Sequence, residues 1–309
     1  MSAPTAPARS PLMPLEDALA ALLRHLPAQP AIESVATFDA DGRVLAEDLV
    51  SPLQVPPQDN SSMDGYALRA ADIAQVPATL KVIGESAAGR RFTGEVKAGQ
   101  AVRIFTGAPV PDGADTILIQ ENTTADGESV TALEGETLGR YVRRAGLDFS
   151  VGDVLLKKGQ RLGPAELALA AAMNHPALPV TRRPRIALLA TGDELVRPGE
   201  EIGPDQIVAS NTFAVRAYAE NAGADVIDLG IAGDNFAAIE AAIRSARAYG
   251  ADVLVTLGGA SVGDHDLVQT ALAREGMELG FWRIAMRPGK PLMHGQIGDM
   301  RILGLPGNP

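Results

Sequence analysis

The chain has 309 residues, 46% of them hydrophobic but only 4% aromatic, with no cysteine and a net charge of −11. That length predicts two or three domains with aliphatic cores, and the missing cysteine removes disulfides, thiolate zinc sites and cysteine nucleophiles. The acidic balance argues against a non-specific nucleic-acid surface, and no apolar run reaches the ~18–20 residues of a membrane span.

In chain order, the Pro/Ala-rich start lacks the apolar core of a signal peptide, so a soluble cytoplasmic protein is expected. Leu15, Leu19, Leu22, Leu23 and Leu26 recur at helical spacing, predicting a one-faced helix that Pro27 ends. From Pro52 to Leu147 the character changes. Short β-type runs at Leu80–Ile83, Ala101–Phe105, Thr116–Gln120 and Ser129–Leu133 are separated by Gly, Pro and Asp-Gly turns. Val151 to Leu162 reads as a hairpin and Ala165 to Met173 as a helix. These resemble the first residues in type, which predicts a discontinuous N-terminal domain (1–50 plus 149–181) with a β-rich module (51–148) inserted.

After Pro184 the pattern alternates. Strands are expected at Arg185–Ala190, Ala224–Ile231 and Asp252–Leu257, with helices at Thr212–Asn221, Phe236–Tyr249 and Leu267–Arg274. Further strands follow near Phe281–Ala285, Leu292–Gln296 and Arg301–Leu305. This is the signature of a doubly wound α/β domain (182–309), so the whole reads as an α/β multidomain chain.

Ligands on such sheets sit at the carboxyl ends of strands, and there the loops are loaded with carboxylates. Thr191-Gly-Asp-Glu194, Ala232-Gly-Asp-Asn235 and Gly258-Gly-Ala-Ser-Val-Gly-Asp-His-Asp266 each follow a strand. Glu194, Asp234 and Asp266 would share one rim, and three carboxylates without cysteine favour a hard cation such as Mg²⁺ over a soft one. Alone, Asp234 also fits a helix cap and Glu194 a solvated loop residue. Met286-Arg-Pro-Gly-Lys-Pro291, with Arg283 upstream, is a rigid basic turn suited to oxyanions, and equally an ordinary β-turn. Gly304-Leu-Pro-Gly-Asn-Pro309 would form a backbone nest or a plain turn. Asp59 and Asp64 both fit turn positions. The four histidines show no metal spacing, and a P-loop and a Gly-x-Ser-x-Gly elbow are both absent.

Taken together, the motifs resemble one family, the molybdopterin molybdenumtransferases, which comprise the bacterial MoeA proteins and the E domain of gephyrin. The matching segments are Asp59-Asn-Ser-Ser-Met-Asp-Gly-Tyr-Ala67, Phe105-Thr-Gly-Ala-Pro-Val-Pro111, Thr191-Gly-Asp-Glu-Leu195, Gly258-Gly-Ala-Ser-Val-Gly-Asp264, Arg287-Pro-Gly-Lys-Pro291 and Gly304-Leu-Pro-Gly-Asn-Pro309. They occur in the family's order and span most of the chain.

The resemblance implies an enzyme of molybdenum cofactor biosynthesis. Its substrates would be molybdate and adenylylated molybdopterin, its product would be released with AMP, and Mg²⁺ would assist. It implies catalytic roles for Asp64, Thr106, Glu194, Asp234 and Asp266, the last three also as metal ligands. Substrate contacts are implied for Asp148, Gly258, Gly259, Ser261, Arg283, Arg287, Lys290, Pro306 and Gly307. A homodimer is implied, its cleft formed between the α/β domain of one subunit and the β module of the other. Possible partners are the molybdopterin adenylyltransferase and cofactor-receiving proteins, with no nucleic acid and no membrane. Arg283 and Arg287 stand where the family commonly has Lys, which changes a point charge into a planar fork. The family continues past Gly-Asn-Pro into a closing helix and a small β domain, so an end at Pro309 is expected to mark a fragment or a truncated chain. The readings that compete are molybdopterin adenylylation, carried out by smaller enzymes lacking the β module, and a non-catalytic molybdopterin-binding scaffold.

Overall fold

The computed structural model describes residues 12–24, 30–258, 267–287 and 289–307. The chain forms two compact units, one of Met1–Glu33 with Thr181–Pro309 and one of Ser34–Val180.

The N-terminal helix α1 (Leu15–Arg24) belongs to the first of these. The sequence reading grouped residues 1–50, and with them this helix, with residues 149–181 by their resemblance in type. Instead, Ala18 is buried beside Phe281 and Ile284 of its own unit, while Leu15, Leu19 and Leu23 are exposed. Ala21 and Leu22 pack beside Ala18 on the buried face, so the leucine stripe is split and only part of it turns inward.

Within Ser34–Val180 lies a six-stranded sheet of β1 (Gly65–Leu68), β2 (Ala78–Ser86), β3 (Gln100–Ile104), β4 (Thr116–Ile119), β5 (Thr123–Asp126) and β6 (Ser129–Ala132). Its order is β4-β1-β3-β2-β6-β5. All neighbours are antiparallel except β2 with β3. The sequence reading put Asp59 and Asp64 at turn positions and no strand over Gly65–Leu68, yet β1 lies between β3 and β4 and is buried along its length. The Asp64-Gly65 pair at its start reads as a turn and hides the strand signal. Only glycine fits at 65, because a Cβ there would collide with the Leu118 carbonyl oxygen and lie 2.9 Å from Ile119 Cα.

A separate core in this unit draws on residues either side of the sheet, with Leu45 and Leu49 packing on Phe149, Leu156, Leu162, Met173 and Leu178. Helix α2 (Pro164–Ala172) closes it. Pro164 opens the helix, and the Glu166 carboxylate accepts from the Gly163 N–H at 2.9 Å. The hairpin expected over Val151–Leu162 does not form. Val154–Leu156 pairs instead with Leu49–Val50, while Phe149 bridges Val55, because both flanks of the Gly152 turn have better partners in that core.

The other unit is built on β7 (Arg185–Thr191), β8 (Asp225–Ala232), β9 (Val253–Leu257), β10 (Glu278–Trp282), β11 (Met293–Ile297) and β12 (Met300–Leu305). The sheet order is β8-β7-β9-β12-β11-β10. The first four strands are parallel, and β11 and β10 continue antiparallel at the far edge. Helices α3 (Asn211–Asn221), α4 (Phe236–Tyr249) and α5 (Leu267–Arg274) connect them. Strand β7 is apolar on both faces, as a central parallel strand must be. Leu189 faces Ile239 and Ile243 of α4 and Leu272 of α5, whereas Leu188 faces the layer containing Val215 of α3. The doubly wound arrangement expected from sequence is therefore present. The strand expected at Phe281–Ala285 runs earlier, over Glu278–Trp282, because Arg283 takes a left-handed conformation (φ 86°) that ends the extended run.

Helix α4 shows how local rules set the frame. Asn235 caps it by accepting from the Ala238 N–H at 2.9 Å, Gly250 ends it at φ 73°, and buried Ile239, Ile243 and Ala246 recur on one face.

Candidate active site

In Ser34–Val180, Asp64 lies just before β1 and Thr106 just after β3. The two strands pair with Gly65 opposite Ile104, which brings the residues beside one another. Gly107, at φ 79°, then turns the chain away. The Thr106 backbone N–H and its hydroxyl both donate to Asp64 Oδ1, each at 2.8 Å. Asp64 is thus a held carboxylate, beyond the turn role its Asp-Gly sequence suggests. The N–H bond first, the hydroxyl second and the nearby charge of Arg103 hold its pKa below the usual carboxylate value. Its second oxygen accepts no hydrogen bond among the described residues.

Asp148 is exposed and paired through both carboxylate oxygens with Arg143 Nη2, at 2.9 Å each. Asp59 accepts from Arg144 and from the Ala145 N–H, which makes it a clip between loops.

In the α/β unit, the ends of β7, β9 and β12 form a glycine-lined rim. Gly258 follows β9, and its N–H donates to the Leu305 carbonyl at 3.1 Å. A Cβ at Gly258 would lie 2.6 Å from the Thr191 carbonyl oxygen, and one at Gly307 would lie 3.0 Å from Gly258 Cα. Asn211 Nδ2 at the start of α3 donates to the Gly307 carbonyl at 2.9 Å, so Pro306 and Gly307 are tied to the same rim. Gly259, Ser261, Asp264, His265 and Asp266 lie outside the described residues.

Glu194 and Asp234 follow the neighbouring strands β7 and β8, whose ends pair Thr191 with Ala232. Both are exposed, and neither carboxylate has a hydrogen bond or ion pair among the described residues. Glu194 folds back over Gly192, so that a Cβ there would lie 2.6 Å from Glu194 Oε1. Asp234 does not cap α4, since Asn235 does. Asp193 joins the two loops, its Oδ1 accepting from the Asp234 N–H at 2.9 Å. Sequence reasoning gave Asp193 no role, although it sits inside the Thr-Gly-Asp-Glu motif. A second carboxylate in that loop, beside Glu194, was the available signal.

At the antiparallel edge, Arg283 holds its strained φ with its guanidinium 5.0 Å from the Trp282 ring, and its buried Nε has no hydrogen-bond partner among the described residues. The Ile284 N–H donates to the Lys290 carbonyl at 3.0 Å, closing the basic turn that exposes Arg287 and Lys290.

Among the described residues no group of three acidic or histidine side chains gathers to hold a metal. The donors that Glu194 and Asp234 present are oxygen only, which fits Mg²⁺. That ion usually takes one or two carboxylates and completes its shell with water and substrate phosphate.

A family model described as the MoeA N-terminal region (domains I and II) matches residues 13–174, and one described as a probable molybdopterin binding domain matches residues 187–309. A molybdopterin molybdenumtransferase of Haemophilus influenzae is 39% identical over 299 residues, covering 96% of this chain and 73% of its own length. One from Nostoc is 40% identical over 295 residues, covering 93% and 67%. Two crystal structures described as molybdopterin biosynthesis MoeA proteins from Pyrococcus horikoshii superpose with TM-scores of 0.85 and 0.80, at 35% and 29% identity. The matches cover 97% and 95% of this chain and 75% and 74% of the other.

Proposed function

This chain belongs to the molybdopterin molybdenumtransferase family, and from that membership we propose that it transfers molybdenum from molybdate to adenylylated molybdopterin, releasing AMP. The observation that carries the proposal is the match of both family models at once. The α/β unit alone would fit molybdopterin adenylylation as well, whereas the match over residues 13–174 belongs to the transferase pattern.

The residues suit the reaction. Cleaving a phosphoanhydride requires positioning and charge neutralisation more than covalent help from the protein. We assign Asp64, ionised and held by Thr106, to orienting the attacking oxygen or accepting its proton. Arg283, Arg287 and Lys290 would bind the phosphate and molybdate oxygens by charge-assisted hydrogen bonds. The glycine rim at Gly258 and Gly307 lets a ligand approach the backbone closely, and Asp148 would make a further substrate contact. Glu194 and Asp234, with Asp266, would hold Mg²⁺. When bound, that ion would neutralise phosphate charge and polarise the P–O bond.

The reading treats 51–148 as a module inserted into a discontinuous N-terminal domain. It takes the enzyme as a cytoplasmic homodimer that receives its substrate from an adenylyltransferase and passes its product to cofactor-receiving proteins. No described helix is long and apolar enough to cross a membrane.

The deciding assay supplies purified protein with adenylylated molybdopterin, Mg²⁺ and molybdate, and measures AMP. Release that depends on molybdate, and that falls at least about 100-fold in Asp64→Asn, is expected. Consumption of ATP with free molybdopterin would replace the proposal by adenylylation. Tight binding of adenylylated molybdopterin without turnover would make the chain a scaffold.

A further inference from the structure

Asp64 and Thr106 are 42 residues apart in sequence and lie on loops at the ends of two strands. Their 2.8 Å contacts persist only if those loop ends are held together. One side chain reaches both. Arg103 Nη1 donates to the carbonyl of Gly65, next to Asp64, at 3.1 Å, and its Nη2 donates to Gln120 Oε1 at 2.7 Å. The Gln120 N–H in turn donates to the carbonyl of Asp64 at 3.1 Å. The carbonyls of Asp64 and Gly65 are therefore both linked to one guanidinium, that of Gly65 directly and that of Asp64 through Gln120. The same group lies 5.0 Å from the ring of Phe105, which precedes Thr106, and 5.1 Å from the ring of buried Tyr66.

We infer that Arg103 is a positioning residue for the proposed transfer reaction, clamping the Asp64 carboxylate against the Thr106 hydroxyl without itself touching substrate. The inference rests on the proposed function.

The chemistry selects arginine. Two separate acceptors and two ring faces call for a planar fork that stacks and donates at once, and a lysine ammonium supplies only a point charge. The strands do not need the guanidinium to pair, because β1 and β3 are joined through their backbones at Gly65–Ile104, Tyr66–Arg103 and Ala67–Val102. What the side chain adds is the geometry at the strand ends. Its charge also favours the ionised form of Asp64.

The test compares wild type with Arg103→Met, Arg103→Lys and Gln120→Ala. It reads molybdate-dependent AMP release, urea unfolding and the NMR shift of the Thr106 amide proton, which its bond to the carboxylate draws downfield. Arg103→Met should lower kcat about 10- to 100-fold, the scale of a misplaced catalytic group, with KM nearly unchanged and the Thr106 amide moved upfield. Arg103→Lys should recover only part of the loss. Gln120→Ala, at an exposed position, should lower kcat severalfold by severing one arm of the clamp. Unchanged kcat and an unmoved Thr106 amide would overturn the inference. So would a loss of kcat with the amide unmoved, which would mean direct contact with substrate, and so would a loss that merely tracks the unfolded fraction. If wild type releases no AMP, the reaction itself is wrong, and the amide shift still decides whether Arg103 holds the pair.

Discussion

At the scale of single residues, the pair formed by Asp64 and Thr106 makes the sharpest prediction. Thr106→Val removes the hydroxyl bond and leaves the N–H bond, so the pKa of Asp64 should move back up toward the ordinary carboxylate value. Because the folded value lies below the unfolded one, the stabilisation from these bonds is full above the unfolded pKa. It is lost as pH falls through the folded pKa. The acid limb of the pH–rate profile should therefore move to higher pH in the variant, and an unmoved limb would separate activity from the ionisation of Asp64. Both residues were visible in sequence because each sits in a distinctive motif. Arg103 and Asp193 were not singled out. Their importance lies in partners such as Gln120 and Asp234, which are distant in sequence, and spacing along the chain carries no trace of those bonds.

At the scale of elements, helices were read more accurately than strands. The apolar stripe and the Gly250 stop of α4 are local, so its limits matched the expectation. Asn235→Ala should cost about 1 kcal/mol through loss of the N-cap, measured as a lower urea midpoint with an unchanged m-value. Strand β1 was missed because its identity depends on the neighbours that flank it. That makes Gly65 a severe test. Gly65→Ala would force a methyl into the Leu118 carbonyl oxygen, and the paired backbone on both sides of β1 leaves little room to yield. The expected outcome is loss of the folded β sheet, seen as insolubility or a collapsed near-UV signal. A soluble variant with native stability would contradict the packing described for β1. The displaced strand at Glu278–Trp282 has a similar origin, since the strain at Arg283 arises from its surroundings and not from any preference of arginine.

At the scale of the whole molecule, the proposed chemistry reconciles a net charge of −11 with anionic substrates through local basic groups and a divalent cation. Removing divalent ions with EDTA should abolish AMP release, and Mg²⁺ should restore it. Retention of full activity would remove Glu194 and Asp234 from metal binding. The proposed homodimer predicts a light-scattering mass twice that of the chain. It also predicts that mixing inactive Asp64→Asn and Glu194→Gln proteins, after subunit exchange, regains part of the activity. The sequence alone determined the family, the α/β class and the order of the motifs, because each depends on local patterns of apolar spacing, glycine turns and charge. Only the tertiary structure decided that Asp64 receives both donors of Thr106, that Asn235 rather than Asp234 caps α4, and that α1 buries Ala18 while Leu15, Leu19 and Leu23 stay exposed. Those outcomes depend on which distant backbones come within hydrogen-bonding or van der Waals range, and strand pairing and packing set that.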